Sequence, residues 1–311
     1  MLHFASNWLI GGLLKIAEFL GWREFVVAFF VMAFAGAIPN MFLGISSALS
    51  KIPELSFGDV IGGNVIDLTI VVAIAVFVAG GIPAKSKTIQ TTSIFTMIAG
   101  FLPMILILDG NLGRIDGIIL IMYFIFYVIW LFSKKERFER IYRKDNILPK
   151  KTETLGLKDF SIFIRSIGKL LLGLIFLLLA TQGIVKSALF FSEKLYLPLA
   201  LVGLLVVGLG NALPETYFSI SCAKKGQTYM ILGNLMGSVI LSATLVLGTV
   251  AIICPIHVVN FSSLMIGRIF LILASLFFFF FVRTDRKITK KEAFILLGIY
   301  CAFILVEILM K

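Results

Sequence analysis

The sequence predicts an all-α polytopic membrane protein with ten transmembrane helices arranged as two inverted five-helix repeats. Three observations carry that prediction. Hydrophobic residues make up 59% of the 311-residue chain and charged residues 14%, whereas soluble domains hold about 45–50% apolar and about 25% charged residues. Residues 27–71 and 202–246, offset by 175 positions, superpose without a gap and share 11 identities in 45 positions. Finally, a single long hydrophilic stretch separates five apolar segments from five more. An odd number per half makes the second half enter the membrane from the opposite side, so the repeat is inverted.

The ten spans are expected near residues 4–20, 25–49, 56–82, 91–109, 115–133, 162–191, 198–222, 229–253, 261–282 and 291–310. Each approaches the roughly 20 residues that cross a bilayer. The first is the weakest, being short and carrying Lys15 and Glu18; an amphipathic surface helix is its alternative reading. The domain division follows: an N-terminal five-helix repeat (1–133), a basic cytoplasmic linker (134–160) and a C-terminal five-helix repeat (161–311).

The net charge of +11 invites a nucleic-acid reading, which the distribution of charge opposes. Alternate loops hold 19 of the 28 Lys and Arg residues, nine of them between Lys134 and Lys158. This is the positive-inside pattern, so the basic loops are expected in the cytoplasm and both termini outside. The expected partners are the lipid bilayer and inorganic cations, with no nucleic acid. Three cysteines (Cys222, Cys254, Cys301) at different depths give no disulfide framework, and two histidines are too few for a histidine metal site. No nucleophile–base pair or phosphate-binding glycine loop is present, so no enzyme is expected, and no cofactor.

Within the repeat, Pro39 pairs with Pro214, each inside a hydrophobic run. Proline removes a backbone donor, and both are expected to break their helices and free carbonyls for other partners. Downstream, Gly58 and Gly62 match Gly233 and Gly237, a spacing that lets two helices approach closely. Asp67 and Glu215 are the two acids placed well inside spans; Glu18, Asp59, Glu193, Glu292 and Glu307 fall nearer span ends or in a weaker segment. An ionisable group at the bilayer centre costs roughly 2.5–3.5 kcal/mol even on lenient scales. Two carboxylates drawn from different halves, with carbonyls, amides and hydroxyls, make an oxygen cage for a hard cation. Asn40, Asn64, Asn211, Ser238 and Ser242 are the candidates for the remaining ligands, although the amides equally suit helix–helix hydrogen bonds.

These motifs resemble those of the cation/calcium antiporter superfamily, the sodium/calcium and calcium/proton exchangers. Each repeat of that family carries G-T-S-x-P-E followed by G-N-x-x-G-S-N-x-x-D/N. The first motif is matched by 35–40 (AGAIPN) and 210–215 (GNALPE), the second by 58–67 (GDVIGGNVID) and 233–242 (GNLMGSVILS). The resemblance implies ten core helices, transport by alternating access, and calcium as the favoured substrate with sodium or proton as counter-ion. The family's two calcium-binding glutamates fall at Asn40 and Glu215, so one is neutral here. The later carboxylate falls at Asp67 in the first half and is Ser242 in the second. The Thr-Ser hydroxyls fall at Gly36, Ala37, Asn211 and Ala212, and are absent. The expected function is therefore a secondary active cation antiporter in a prokaryotic plasma (inner) membrane. The alternative is a divergent member that binds cations or regulates without exchanging calcium.

Overall fold

The computed structural model describes residues 24–133, 182–196, 198–224, 226, 228–257 and 261–309. The first expected span, the basic linker and residues 162–181 of the sixth span lie outside them. The described chain is overwhelmingly helical. Helix α1 is Glu24–Leu49, and α2 runs from Pro53–Ile66 through a π-helical turn, Asp67–Val71, into Val72–Ala79. Helices α3 (Lys87–Leu106) and α4 (Arg114–Ser133) follow, then α5 at 182–195. Helix α6 joins Leu199–Val202, a π-turn Gly203–Val207 and Gly208–Lys224. Helix α7 joins Thr228–Ile240, a π-turn Leu241–Val246 and Leu247–Ile253; α8 (Phe261–Arg283) and α9 (Lys290–Leu309) complete the order. Among the described residues five helices are long and apolar enough to cross a membrane: Pro53–Ala79, Lys87–Asp109, Arg114–Leu131, Met230–Ile253 and Met265–Arg286.

Local chemistry sets the helix ends. Pro53 opens α2, where its missing N–H costs no hydrogen bond. Gly80, at φ 74°, closes α2 in the left-handed conformation that glycine adopts without strain. At the start of α9 the Glu292 carboxylate accepts from the Thr289 N–H at 2.7 Å while the Thr289 hydroxyl faces the Glu292 N–H, a capping box. At the start of α4 the Asp116 carboxylate accepts from the Gly113 N–H at 2.8 Å. The two acid caps lie 176 positions apart, so the internal repeat extends well past the 45 positions that align in sequence.

Other features recur within a residue of the 175-position offset. The π-turn at Asp67–Val71 has its counterpart at Leu241–Val246. Thr69 and Thr244 each donate to the carbonyl four residues back, Val65 and Ile240. Strand β1 (Ile82–Pro83) pairs antiparallel with β4 (Lys287–Ile288), and β2 (Asn111–Leu112) with β3 (Ile256–His257). These two ladders sit at opposite ends of α3. Helix α3 therefore starts at the face of the β1–β4 ladder, whereas its repeat mate α8 starts at the face of the β2–β3 ladder. Helices α3 and α8 thus run in opposite directions.

The packing obeys the same exchange. Helix α2 lies against α6, α7 lies against α1, and α3 and α8 pack on each other; α9 covers α2 as α4 covers α7. The interior of α2 and α7 is almost fully buried, with Phe57, Ile61, Val65, Leu68, Leu235, Val239 and Leu247 at 2% exposure or less. This buried slab positions the polar residues described next.

Neither proline breaks its helix, contrary to the expectation from sequence. Pro39 lies inside continuous α1 and Pro214 inside continuous α6. One proline deletes one intrahelical bond, here from the carbonyls of Ala35 and Gly210, and neighbouring helices can hold the geometry around such a gap. The real departures from α-geometry are the π-turns.

Candidate cation site

Four helices frame the buried acids Asp59, Asp67 and Glu215. Helix α2 supplies Asp59, Asn64 and Asp67; α6 supplies Asn211, Glu215 and Ser219; α7 supplies Ser238 and Ser242; α1 brings Gly36. Asp59, Asn64, Asp67, Ser238 and Ser242 are all at most 4% exposed, and Glu215 is 6% exposed. Asp67 opens the first π-turn and Ser242 lies in the second. A π-turn shifts the hydrogen-bond register and turns side chains off the regular helical row, and such turns recur at functional sites.

Two hydrogen bonds tie the helices together. The Ser242 hydroxyl donates to Asn64 Oδ1 at 2.7 Å, joining α7 to α2, and Ser238 lies beside Asp67 across the same pair of helices. The Asn211 Nδ2 donates to Asp59 Oδ1 at 2.8 Å, joining α6 to α2. The carboxyl groups of Asp59, Asp67 and Glu215 are close enough to act on one another electrostatically. Each keeps a buried oxygen with no protein partner: Asp59 Oδ2, Asp67 Oδ1 and Glu215 Oε2. The amide nitrogen of Asn64 and the hydroxyl of Ser219 are likewise unpartnered. Buried polar atoms left in this state are costly. Ionised together, three such carboxylates repel one another, and protons or a bound cation relieve that repulsion.

Close helix approach builds this geometry. A Cβ on Gly62 would collide with the backbone carbonyl of Leu204, and one on Gly203 with that of Leu55. A Cβ on Gly208 would lie 2.7 Å from the Gly63 nitrogen. Backbone therefore meets backbone where α2 crosses α6. Gly62 was expected at such a crossing from its spacing; Gly203 and Gly208, its counterparts on α6, carry no comparable motif. Gly58, Gly233 and Gly237 are buried in the core as well. A Cβ on Gly36 would sit 3.3 Å from Glu215 Oε1, so α1 presents bare backbone to that carboxylate.

Seven residues were candidates from sequence. The structure sets Ser242 against Asn64 and Ser238 beside Asp67 across α7 and α2, and buries Glu215 in the same core. Asn211 is committed to Asp59. Asn40 is half-buried on α1, one turn past Gly36, and no described hydrogen bond links it to the cluster. Asp59 was placed near a span end by its position; the structure buries it to 2% exposure in the interior of α2. Its signal was present in the repeat, where an aspartate faces the amide of Asn234. Among the described residues no three Asp, Glu, His or Cys side chains close on one metal-sized point. Carbonyls, amides and hydroxyls would have to complete any cation shell around the acids.

Comparison with known proteins agrees with this architecture. The family model described as sodium/calcium exchanger protein matches residues 1–133 and 165–309. The sodium/calcium exchanger MaX1 of Methanosarcina acetivorans is 23% identical over 97% of this chain and 93% of its own. An uncharacterized membrane protein of Methanocaldococcus jannaschii is 25% identical over 88% of this chain and 86% of its own. Among solved structures, the sodium-calcium exchanger NCX_Mj soaked with sodium and calcium superposes with a TM-score of 0.67 at 22% identity, covering 98% of this chain and 94% of that one. The chain is an integral, multi-pass membrane protein and belongs to the sodium/calcium exchanger family.

Proposed function

We propose that the chain is a secondary active cation antiporter that works by alternating access, with Glu215 and Asp67 as its cation-binding acids. The observation that carries this reading is that each half lends one buried carboxylate, each with an unpartnered oxygen, to the same packed centre. Asn64, Ser238 and Ser242 supply neutral oxygens beside them. Asn211 and Asn40 are outer members of the set, and Pro39 and Pro214 free the carbonyls of Ala35 and Gly210 nearby.

The architecture completing this reading is ten spans in two inverted five-helix repeats, 1–133 and 161–311, joined by the cytoplasmic linker 134–160. Both termini face outward in a prokaryotic inner membrane. The opposed directions of α3 and α8 and the two inter-half ladders support it. The first span of each half rocks or slides on the core formed by α1, α2, α6 and α7. Calcium is the favoured substrate, with proton or sodium as counter-ion. The test is calcium flux in reconstituted vesicles under imposed proton or sodium gradients. Gradient-driven uptake lost in Glu215→Gln and in Asp67→Asn supports the site; uptake unchanged in Glu215→Gln overturns it.

A second reading has one observation behind it. Asn40 is neutral and without a described hydrogen bond to the cluster, and Gly36 offers Glu215 no hydroxyl. A member that binds cations without exchanging calcium would look the same here. It predicts thermal stabilisation by a cation without gradient-driven calcium uptake.

A further inference from the structure

We propose that Asp59 is a third cation-binding acid of this chain, extending the site along α2 beside Asn211. The proposal rests on the cation-exchange reading of Glu215 and Asp67. It begins with the asymmetry of the repeat. Glu215 has Asn40 as its mate, Asp67 has Ser242, and Asp59 has Asn234. The first half thus lacks an acid at 40 and carries one at 59, where its mate carries an amide.

The surroundings of Asp59 ask for a cation. Its side chain is 2% exposed, Oδ1 accepts one hydrogen bond from Asn211, and Oδ2 is buried with no partner. An ionised carboxylate held by one amide in the interior of a membrane protein is poorly compensated. A cation coordinated by Oδ2 supplies the missing compensation.

Its position separates it from the Asp67–Glu215 pair. Asp59 lies eight residues before Asp67, about 12 Å along the helix axis, and Asn211 lies four before Glu215, about 6 Å. Helices α2 and α6 cross with Leu55 beside Gly203 and Gly63 beside Gly208, hence in the same direction. The Asp59–Asn211 layer therefore sits toward the end of the molecule that carries the α1–α2 turn. Because no three acids share one metal-sized point, Asp59 lengthens the site and does not complete a single triple-acid cage.

Equilibrium binding of radioactive calcium and sodium to the purified full chain tests this. Asp59→Asn is expected to weaken binding of at least one of the two ions about tenfold or more, since ligand charge sets hard-cation affinity, and to lower the number of ions bound per chain. Asp59→Glu is expected to retain most of the affinity. Unchanged affinity and ion number in a well-folded Asp59→Asn protein overturn the proposal. If that variant does not fold, Asp59→Ser must show the same loss, and its failure to do so is equally decisive. Binding lost in Glu215→Gln but intact in Asp59→Asn overturns this proposal alone. Binding intact in Glu215→Gln overturns the site reading on which it rests.

Discussion

At the residue scale, this chain distributes its acids asymmetrically over a symmetric frame. Asp67 and Glu215 were legible because each interrupts an apolar run far from its ends. Asp59 was not, because it does lie near the start of its helix, and closeness to a span end does not reveal how deeply neighbouring helices bury a side chain. Its partner makes a direct prediction. Asn211→Ala removes the one hydrogen bond to a buried carboxylate, which costs about 1–3 kcal/mol. The melting temperature of the purified protein should fall without added cation, and the loss should shrink when a bound cation neutralises Asp59. Gly36 offers the converse test. Its backbone lies against Glu215, and Gly36→Ser places a hydroxyl where the family pattern has one. Sodium affinity should rise severalfold in a competition assay, with calcium binding still dependent on Glu215.

At the element scale, the crossing of α2 and α6 depends on backbone contact. Adding one methyl at Gly62 or Gly203 strikes a carbonyl of the facing helix, and backbone cannot yield as a flexible side chain can. Gly62→Ala and Gly203→Ala should each destabilise the protein by about 1–3 kcal/mol or more through overpacking. Gly298→Ala on α9 meets nothing within 4 Å and should be neutral or slightly stabilising. Melting curves of the three variants in one detergent check the contrast; equal stability for all three would contradict the crossing. The glycine pattern of α2 was legible because small residues at i and i+4 have a packing meaning. The π-turns were not. They leave no residue-type signature in an apolar run. The prolines carried the opposite lesson: a conspicuous sequence signal proved to be a local loss of one hydrogen bond within an intact helix.

At the scale of the whole molecule, the repeat was the most legible feature, because an offset of 175 positions survives even where identities are sparse. What sequence could not supply was how the halves join. The structure joins them with two short ladders, one at each end of α3, so that each half caps the other on both faces. The β1–β4 ladder sits among basic residues, with Lys85, Lys87, Arg283, Arg286, Lys290 and Lys291 nearby in sequence. The β2–β3 ladder lacks such a cluster. Positive-inside bias predicts the first ladder in the cytoplasm and the second outside. In a background with Cys222, Cys254 and Cys301 replaced by serine or alanine, Lys85→Cys and Lys287→Cys should react with a membrane-impermeant maleimide only in inside-out vesicles. Asn111→Cys and His257→Cys should react only in right-side-out vesicles. Each pair joins residues from both halves, so matching behaviour within pairs tests the joining of the halves, and opposite behaviour between pairs tests the inversion. Labelling of Lys85→Cys with His257→Cys from one side, and of Asn111→Cys with Lys287→Cys from the other, would refute both, because helices α3 and α8 would then run in the same direction through the membrane.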